Sequence, residues 1–319
     1  MKKWIKVKDC DIVFLQSCPT VVFQIILLKI LKRKPIVYNV YDVFPGHAYD
    51  IGVMNSKIIY NIFKLIQKIV YKLSTIVTVL SDDMKDKIKE QGVKEDKIRV
   101  VPAWYDEKVV KEIKKEDNQF VKKYNIKMDK FYVQFAGTIG YVFNYKTVLE
   151  TAKLLIDYKD IEFQIIGDGN VKEKFIEEAK QMNLNNIKFY PLLPLDIVPH
   201  VYSACSICLI PLVKGVIGNG VPSKAPLLMA CHRVIINSVE ENSHYFNQFN
   251  ENNIGISVPI GDNLALSKEI LRLYNNPEEI KIMADNARQY GKEFFTAEIN
   301  IKKFIDIFNE IGADKKWKY

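Results

Sequence analysis

The chain has 319 residues, enough for two domains that each bury a core, and its 48% apolar and 26% charged residues are the balance of a soluble globular protein. The net charge of +8 is spread over scattered lysines. With no compact arginine-rich motif it reads first as solvated faces and second as attraction to an anionic membrane, and nucleic acid is not an implied partner. The five cysteines (Cys10, Cys18, Cys205, Cys208, Cys231) are odd in number, which argues against a disulfide framework and fits a reducing cytoplasm.

In chain order, residues 11–15 (DIVFL) read as a strand ending in Gln16-Ser17. The run 21–31 (VVFQIILLKIL) is interrupted by Gln24 and Lys29 and is too short to span a bilayer. Pro19 before it and Lys32-Arg33-Lys34 after it give the wrong polarity for a signal peptide, so a buried helix over 20–32 is expected. A strand over 35–40 leads into the loop Tyr41-Asp42-Val43-Phe44-Pro45-Gly46-His47, at the strand end where α/β proteins place working residues. Asp42 and His47 are its titratable groups; a pair of solvated loop residues is the plain alternative. A long basic helix over 55–73 follows, then a strand over 75–80. Ser81 caps a helix over 82–91 that Gly92 ends, and a strand covers 97–101. This alternation predicts a doubly wound parallel sheet. Residues 1–105 supply about four strands, fewer than the roughly five or six of a usual sheet.

Residues 106–129 are charged and weakly periodic, a linker passing into a helix near 119–124. The most organised stretch is 131–169. It reads as strand 131–135, the turn Gly137-Thr138-Ile139-Gly140, a helix over 147–155, strand 161–166 and the turn Gly167-Asp168-Gly169. This βαβ unit favours a parallel sheet with ligands at the carboxyl ends of its strands. Glycines let backbone N–H groups approach a ligand, and a loop that opens a helix suits phosphate. GTIG is not GxGxxG, so a tight turn without ligand is the alternative. Helices are then expected over 171–183, 196–203, 225–231, 243–249, 263–274, 277–290 and 297–311. Strands are expected over 186–190, 207–211, 234–236 and 255–258, and 214–220 reads as a flexible glycine-rich loop.

Two further motifs stand out. In Gly218-Asn219-Gly220-Val221-Pro222-Ser223-Lys224, a proline near the first turn, a serine hydroxyl and a lysine meet at a helix start, the groups that hold a diphosphate. An N-cap with a solvated lysine is the plain reading. Cys205-Ser206-Ile207-Cys208 is a lone CxxC leading into a strand, which suits buried structural cysteines better than zinc or redox chemistry. His200, His232 and His244 form no ligand-spaced set.

Together, GTIGYVFNYKTVLETAKLL, IIGDGNVKEKFIEEAK, NNIKFYPLLP, VPSKAPLLMAC, GISVPIGDN and LYNNPEEIKIMADNARQYGKEFFT resemble the carboxyl-terminal domain of retaining GT-B glycosyltransferases of family 4. The branch is the bacterial capsule and O-antigen one, similar to L-fucosamine and N-acetylglucosamine transferases, and YNVYDVFPGHAYDIGVM resembles its amino-terminal domain. The resemblance implies an α/β fold of GT-B type, two Rossmann-like doubly wound domains. Residues 1–115 would form an acceptor-side domain shortened at its amino terminus. Residues 130–295 would form the nucleotide-sugar donor domain, and 296–319 a terminal helix that could return to the first.

The resemblance further implies that Gly137, Thr138, Ile139 and Gly140 lie against the donor diphosphate and sugar. Gly220, Pro222, Ser223 and Lys224 would lie near the phosphates, and Gly167, Asp168 and Gly169 at the base of the nucleotide cleft. Lys224, Asp42 and His47 become the catalytic candidates. The implied reaction moves a sugar, hexosyl or N-acetylhexosaminyl, from a donor, expected to be UDP-linked, to a polyprenyl-diphosphate-linked acceptor with retention. No cofactor and no metal are expected. Localisation is expected to be cytoplasmic, peripheral at the inner face of an anionic membrane. An upstream-encoded polypeptide or a second copy are further partners to consider. The chain departs from the family in three places. Leu227 and Asn219 stand where the wider family has a Glu-x7-Glu pair. His232 stands where the branch has a glycine, and a side chain there strains the turn. The glycine-rich amino-terminal loop is missing. A donor-binding or partner-binding remnant, or half of a split enzyme, is therefore the alternative function.

Overall fold

A computed structural model describes residues 10–18, 21, 23–25, 28, 34–127 and 129–312. Residues 21, 23–25 and 28 are helical, and the remaining positions of the helix expected over 20–32 lie outside the described residues. The chain divides into two compact units. Unit 1 holds the described residues of Met1–Ala103, Gly215–Val221 and Glu298–Tyr319; unit 2 holds those of Trp104–Lys214 and Pro222–Ala297.

Unit 1 is built on four parallel strands, β1 Val13–Gln16, β2 Ile36–Asn39, β3 Ile76–Val79 and β4 Ile98–Val100, in spatial order β1-β2-β3-β4. Right-handed crossovers that always step the same way place their helices on one face. These are α1 Gly46–Asp50, α2 Lys57–Leu73 and α3 Asp82–Lys89. On that face Ile36, Tyr38, Val77, Val79 and Ile98 meet Val70 and Tyr71 of α2 and Met84 and Ile88 of α3. The caps follow the side chains: Ser56 Oγ accepts from Ile59 N and Ser81 Oγ from Met84 N. The opposite face carries Phe14, Val37, Ile76 and Arg99 by register. It is met from the far end of the sequence by α12, Ala297–Ile311. Phe14 of β1 contacts Phe304 and Phe308 edge-on at 5.4 and 6.0 Å, and Arg99 of β4 pairs with Glu310 at 2.5 Å.

Unit 2 is a six-stranded parallel sheet of β5 Phe131–Ala136, β6 Ile161–Ile166, β7 Ile187–Tyr190, β8 Ile207–Pro211, β9 Val234–Val239 and β10 Ile256–Pro259. Its order is β10-β9-β8-β5-β6-β7, which reverses between β5 and β8. Such a reversal splays the loops that leave the two strands to opposite faces and leaves a crevice at their carboxyl ends. The helices are α4 Gln119–Tyr124, α5 Tyr145–Leu154, α6 Lys172–Gln181, α7 Val198–Tyr202, α8 Lys224–Ala230, α9 His244–Glu251, α10 Asn263–Asn275 and α11 Pro277–Phe294. Val133, Phe135, Val148, Phe163, Ile165, Leu209, Val234 and Ile270 form its core. The expected linker is docked on this unit: Asn118 is fully buried, donates to His200 O at 2.8 Å and caps α4.

Two expectations are corrected. His47 stands on α1 rather than in a loop, because Pro45 O and Val43 O accept from Tyr49 N and His47 N and close a helical turn. The stretch expected as a flexible loop over 214–220 is largely packed: Gly218, Asn219 and Gly220 are buried, and residues 215–220 belong to unit 1. Among the described residues no helix is long and apolar enough to cross a membrane.

Phe304 is 8% exposed, and its removal from the α12 face should lower the stability of unit 1 by about 3 kcal/mol. Hydrogen exchange of Phe304→Ala is expected to show loss of protection confined to unit 1. Equal loss in both units would contradict this role for α12.

Candidate functional site

In unit 2 the two glycine turns at the sheet reversal are zipped together by backbone. Gly137 N donates to Ile166 O and Ile139 N to Asp168 O, both at 2.9 Å, and Val171 N donates back to Ile139 O. The contact demands glycine. A Cβ on Gly167 would lie 1.9 Å from Gly137 O, and one on Gly169 2.3 Å from Ile139 O, with both residues at positive φ. Gly140 is different: its nearest neighbours would be Thr138 Cγ2 and Asn170 Oδ1 at 3.4 and 3.5 Å. This pairing leaves only part of the GTIG turn to offer N–H groups. Gly137 and Ile139 have spent theirs, and the Ile139 side chain is buried in the core. Thr138 and Gly140 keep N–H groups with no partner among the described residues, beside the exposed Thr138 side chain. Asp168 is exposed; its Oδ1 accepts from Gly169 N at 2.8 Å.

Lys224 opens α8 and aims back at this turn. Its Nζ lies 3.8 Å from the centroid of the Phe135 ring, on β5. A Cβ on Gly137 would lie 2.8 Å from that Nζ, so the glycine is what admits the ammonium. Burial pushes the Lys224 amine down to about 7, with Cys208 acting weakly the other way. Among the described residues no carboxylate lies within ion-pair distance of it. The ring face offsets part of the lost hydration, a cation–π contact worth about 2 kcal/mol when desolvated. A charge held over a ring with no counter-ion is costly to bury. Beside it Pro222 is buried and Ser223 is exposed, and the Ser223 hydroxyl caps nothing and has no partner among the described residues. Phe135 was missed by sequence reading, since an apolar strand residue carries no mark of the cation that will sit on it. Lys172, which clamps Gly167 O at 2.6 Å and Tyr190 O at 3.4 Å, was missed too; its place one turn beyond the GDG turn was the available signal.

In unit 1, Asp42 follows the carboxyl end of β2 and His47 opens from α1. Asp42 Oδ1 and His47 Nδ1 are 3.0 Å apart, but the angle falls short of a hydrogen bond and Nδ1 is buried without one. With Ser17, Cys18, Tyr38 and Phe44 they line a cavity of about 270 Å³. Gly220 packs against the pair: a Cβ there would lie 3.1 Å from Asp42 Oδ1 and 3.5 Å from His47 Nδ1. Asn219, which sequence reading did not single out as functional, holds the segment down. Its Nδ2 donates to Asp50 Oδ2 at 2.6 Å and Gly215 O at 2.9 Å, and its backbone O accepts from Val43 N. Gly220 is thus placed with Asp42 and His47, while Pro222, Ser223 and Lys224 are placed with the glycine turns of unit 2.

The remaining expectations concern His232 and the cysteines. His232 adopts φ +60°, the left-handed conformation that a glycine would take without cost. Its ring is held by Glu112 Oε2 at 3.2 Å and Asp285 Oδ1 at 2.7 Å, contacts that a glycine could not make. Cys205 and Cys208 are free and buried, with their sulfurs 3.3 Å apart. Among the described residues no three His, Cys, Asp or Glu side chains gather as metal ligands.

The family described as Glycosyl transferases group 1 matches residues 116–290, and that described as Glycosyltransferase Family 4 matches residues 1–109. A protein of Pseudomonas aeruginosa named as a probable glycosyltransferase, WbjE, is 27% identical over 88% of this chain and 69% of its own length. WcaI of Escherichia coli strain K12, a glycosyl transferase connected by name with colanic acid biosynthesis, is 25% identical over 48% of this chain and 38% of its own. HepE of Anabaena, solved in complex with UDP and glucose, superposes with a TM-score of 0.80 at 12% identity, over 97% of this chain and 80% of its own.

The two zipped turns make a paired test. Gly167→Ala must force them apart and should cost about 1–3 kcal/mol, whereas Gly140→Ala has room and should be near neutral. Thermal unfolding of both variants checks this, and equal midpoints would contradict the geometry.

Proposed function

Because this chain belongs to the Glycosyl transferases group 1 family, we propose that it moves a sugar from a UDP-linked donor to a polyprenyl-diphosphate-linked acceptor in cell-surface polysaccharide synthesis. One observation carries the donor assignment: an ammonium without a carboxylate partner, held over Phe135 beside the Gly137 turn at the sheet reversal. A nucleoside diphosphate supplies the missing counter-charge. Lys224 pairs with its phosphates, and Ser223 Oγ and the N–H groups of Thr138 and Gly140 add donors. The names of WbjE and WcaI and the UDP complex of HepE support the substrate class.

The proposed reaction retains configuration. The bond from the anomeric carbon to the diphosphate oxygen breaks, and the acceptor hydroxyl attacks the same face. Its proton passes to the departing phosphate oxygen. Negative charge grows on the diphosphate as the bond breaks, so a lysine fixed there lowers the barrier more than it aids ground-state binding. No metal is needed in this scheme. On unit 1, Asp42 and His47 line a cavity that takes part of the acceptor.

The lipid-linked acceptor places the enzyme at the inner face of a membrane, and α2 supports this. Ile58, Ile62, Leu65 and Ile69 are 75, 53, 62 and 42% exposed in one stripe, with Lys64, Lys68 and Lys72 along one side. Ile66 is turned from the stripe and packs against the core.

Three measurements test the proposal. Lys224→Met keeps the apolar stem and should weaken UDP binding about tenfold or more, the loss of a charge-assisted contact worth roughly 1.5–3 kcal/mol. Unchanged affinity in the folded variant would remove Lys224 from the site. The sign of the pH dependence also follows. The folded amine titrates near 7 and the unfolded one at the ordinary lysine value of 10.5, so between these stability rises with pH. A bound diphosphate restores the charge, so UDP binding should take up a proton and weaken toward tenfold per unit above about pH 7. Calorimetry in buffers of different ionisation enthalpy reads this directly, and the dependence should flatten in Lys224→Met. Transfer from radiolabelled UDP-sugars to membrane extracts then separates a transferase from a donor-binding module, which would bind UDP without transfer.

A further inference from the structure

A second cavity in unit 1, of about 490 Å³, is lined by Lys68, Lys72, Lys94 and Lys97 with Tyr71 and Gln91, and no acidic side chain lines it. It lies at the amino-terminal edge of the sheet, where Lys97 leads into β4, whereas Asp42 and His47 follow the carboxyl end of β2. Lys97 is used structurally: its Nζ donates to Lys72 O at 3.3 Å and Ser74 O at 2.9 Å, capping the end of α2. Lys68, Lys72 and Lys94 have no carboxylate partner among the described residues. The nearest acid in sequence, Glu95, is turned away onto Lys85 and Lys89 at 2.7 and 2.9 Å. Helix ends explain part of this charge. α2 and α3 both finish here, and each carries about half a negative charge at its carboxyl end. Together they balance about one lysine, which leaves a strong positive excess. Gln91 Oε1 is buried here without a partner, and a half-turn of that amide would present two N–H donors instead.

We infer that this cavity binds the phosphate headgroup of an anionic phospholipid. The inference rests on the membrane reading given above and adds a specific ligand to it. The commitment to a lipid comes from α2. Lys68 and Lys72 stand on the side of the helix next to the exposed stripe of Ile58, Ile62, Leu65 and Ile69. A helix resting with that stripe among acyl chains would hold its lysines at the level of the phosphates, where such a pocket opens. Lys94 reaches the same cavity from the loop after α3, so recognition requires the folded unit and not the helix alone.

Titration of the full chain with monomeric dihexanoyl-phosphatidylglycerol should show one saturable site. Lys68→Glu with Lys94→Glu should weaken it at least about tenfold, and dihexanoyl-phosphatidylcholine should not bind. Both lysines are exposed, so the double variant should fold; unchanged hydrogen-exchange protection in unit 1 would confirm that. Absence of saturable binding, or binding indifferent to the double substitution, would overturn the site. Inorganic phosphate binding as tightly as the lipid would overturn the lipid assignment and make the cavity a site for soluble anions. Sedimentation with vesicles of equal parts phosphatidylcholine and phosphatidylglycerol separates the two levels. Ile62→Ser with Leu65→Ser should release the chain from vesicles yet leave the short-chain lipid bound. A wild type that ignores vesicles but still binds short-chain phosphatidylglycerol would sink the membrane reading and leave the pocket standing.

Discussion

The candidate donor half-site depends on a backbone contact in which no side chain takes part. The turns after β5 and β6 can meet only because positions 167 and 169 lack a Cβ, and the missing Cβ of position 137 leaves the entrance for Lys224. The same absence that zips the turns empties the space above the Phe135 ring. Burial and a positive charge are then brought together without a counter-ion, an arrangement that weakens the empty protein and is relieved by an anion.

Unit 1 meets a different constraint. Its described strands run in simple order, so its crossover helices cover one face and leave the other to be covered from elsewhere. α12 supplies that cover from the end of the sequence, and the segment 215–221 brings Asn219 and Gly220 against the Asp42 and His47 cavity. The cavity is therefore built by residues far apart in sequence. A hydrogen bond from a buried asparagine to Asp50 fixes the insertion, together with Val221 packed against the unit 1 core.

Strands, helices and caps were mostly legible, because apolar periodicity, glycine stops and serine caps are local signals. β6 and β8 match their expected bounds, and Ser81 caps where its hydroxyl predicts. The left-handed turn at His232 was legible too, but only through the resemblance. What failed to show was everything that depends on a distant partner. The run 214–220 is rich in glycine and reads as flexible; its order comes from Asp50 and Val43, which no local pattern links to it. The glycines of the GTIG turn read as opening backbone N–H groups to a ligand, yet two of its residues are engaged by a turn almost thirty positions away. The basic cavity beside α2 escaped because lysines spread along a sequence look like solvated charge until folding gathers Lys68, Lys72, Lys94 and Lys97.

The composite make-up of unit 1 also orders events during synthesis. A nascent chain commonly folds its amino-terminal domain first. Here β1 to β4 emerge early, but the cover that α12 gives their second face arrives only when α12 leaves the ribosome. Unit 2 is finished by Ala297, so the later-made unit can complete its core while the earlier one still waits. Phe14, whose ring meets Phe304 and Phe308 edge-on, lacks those contacts through that interval.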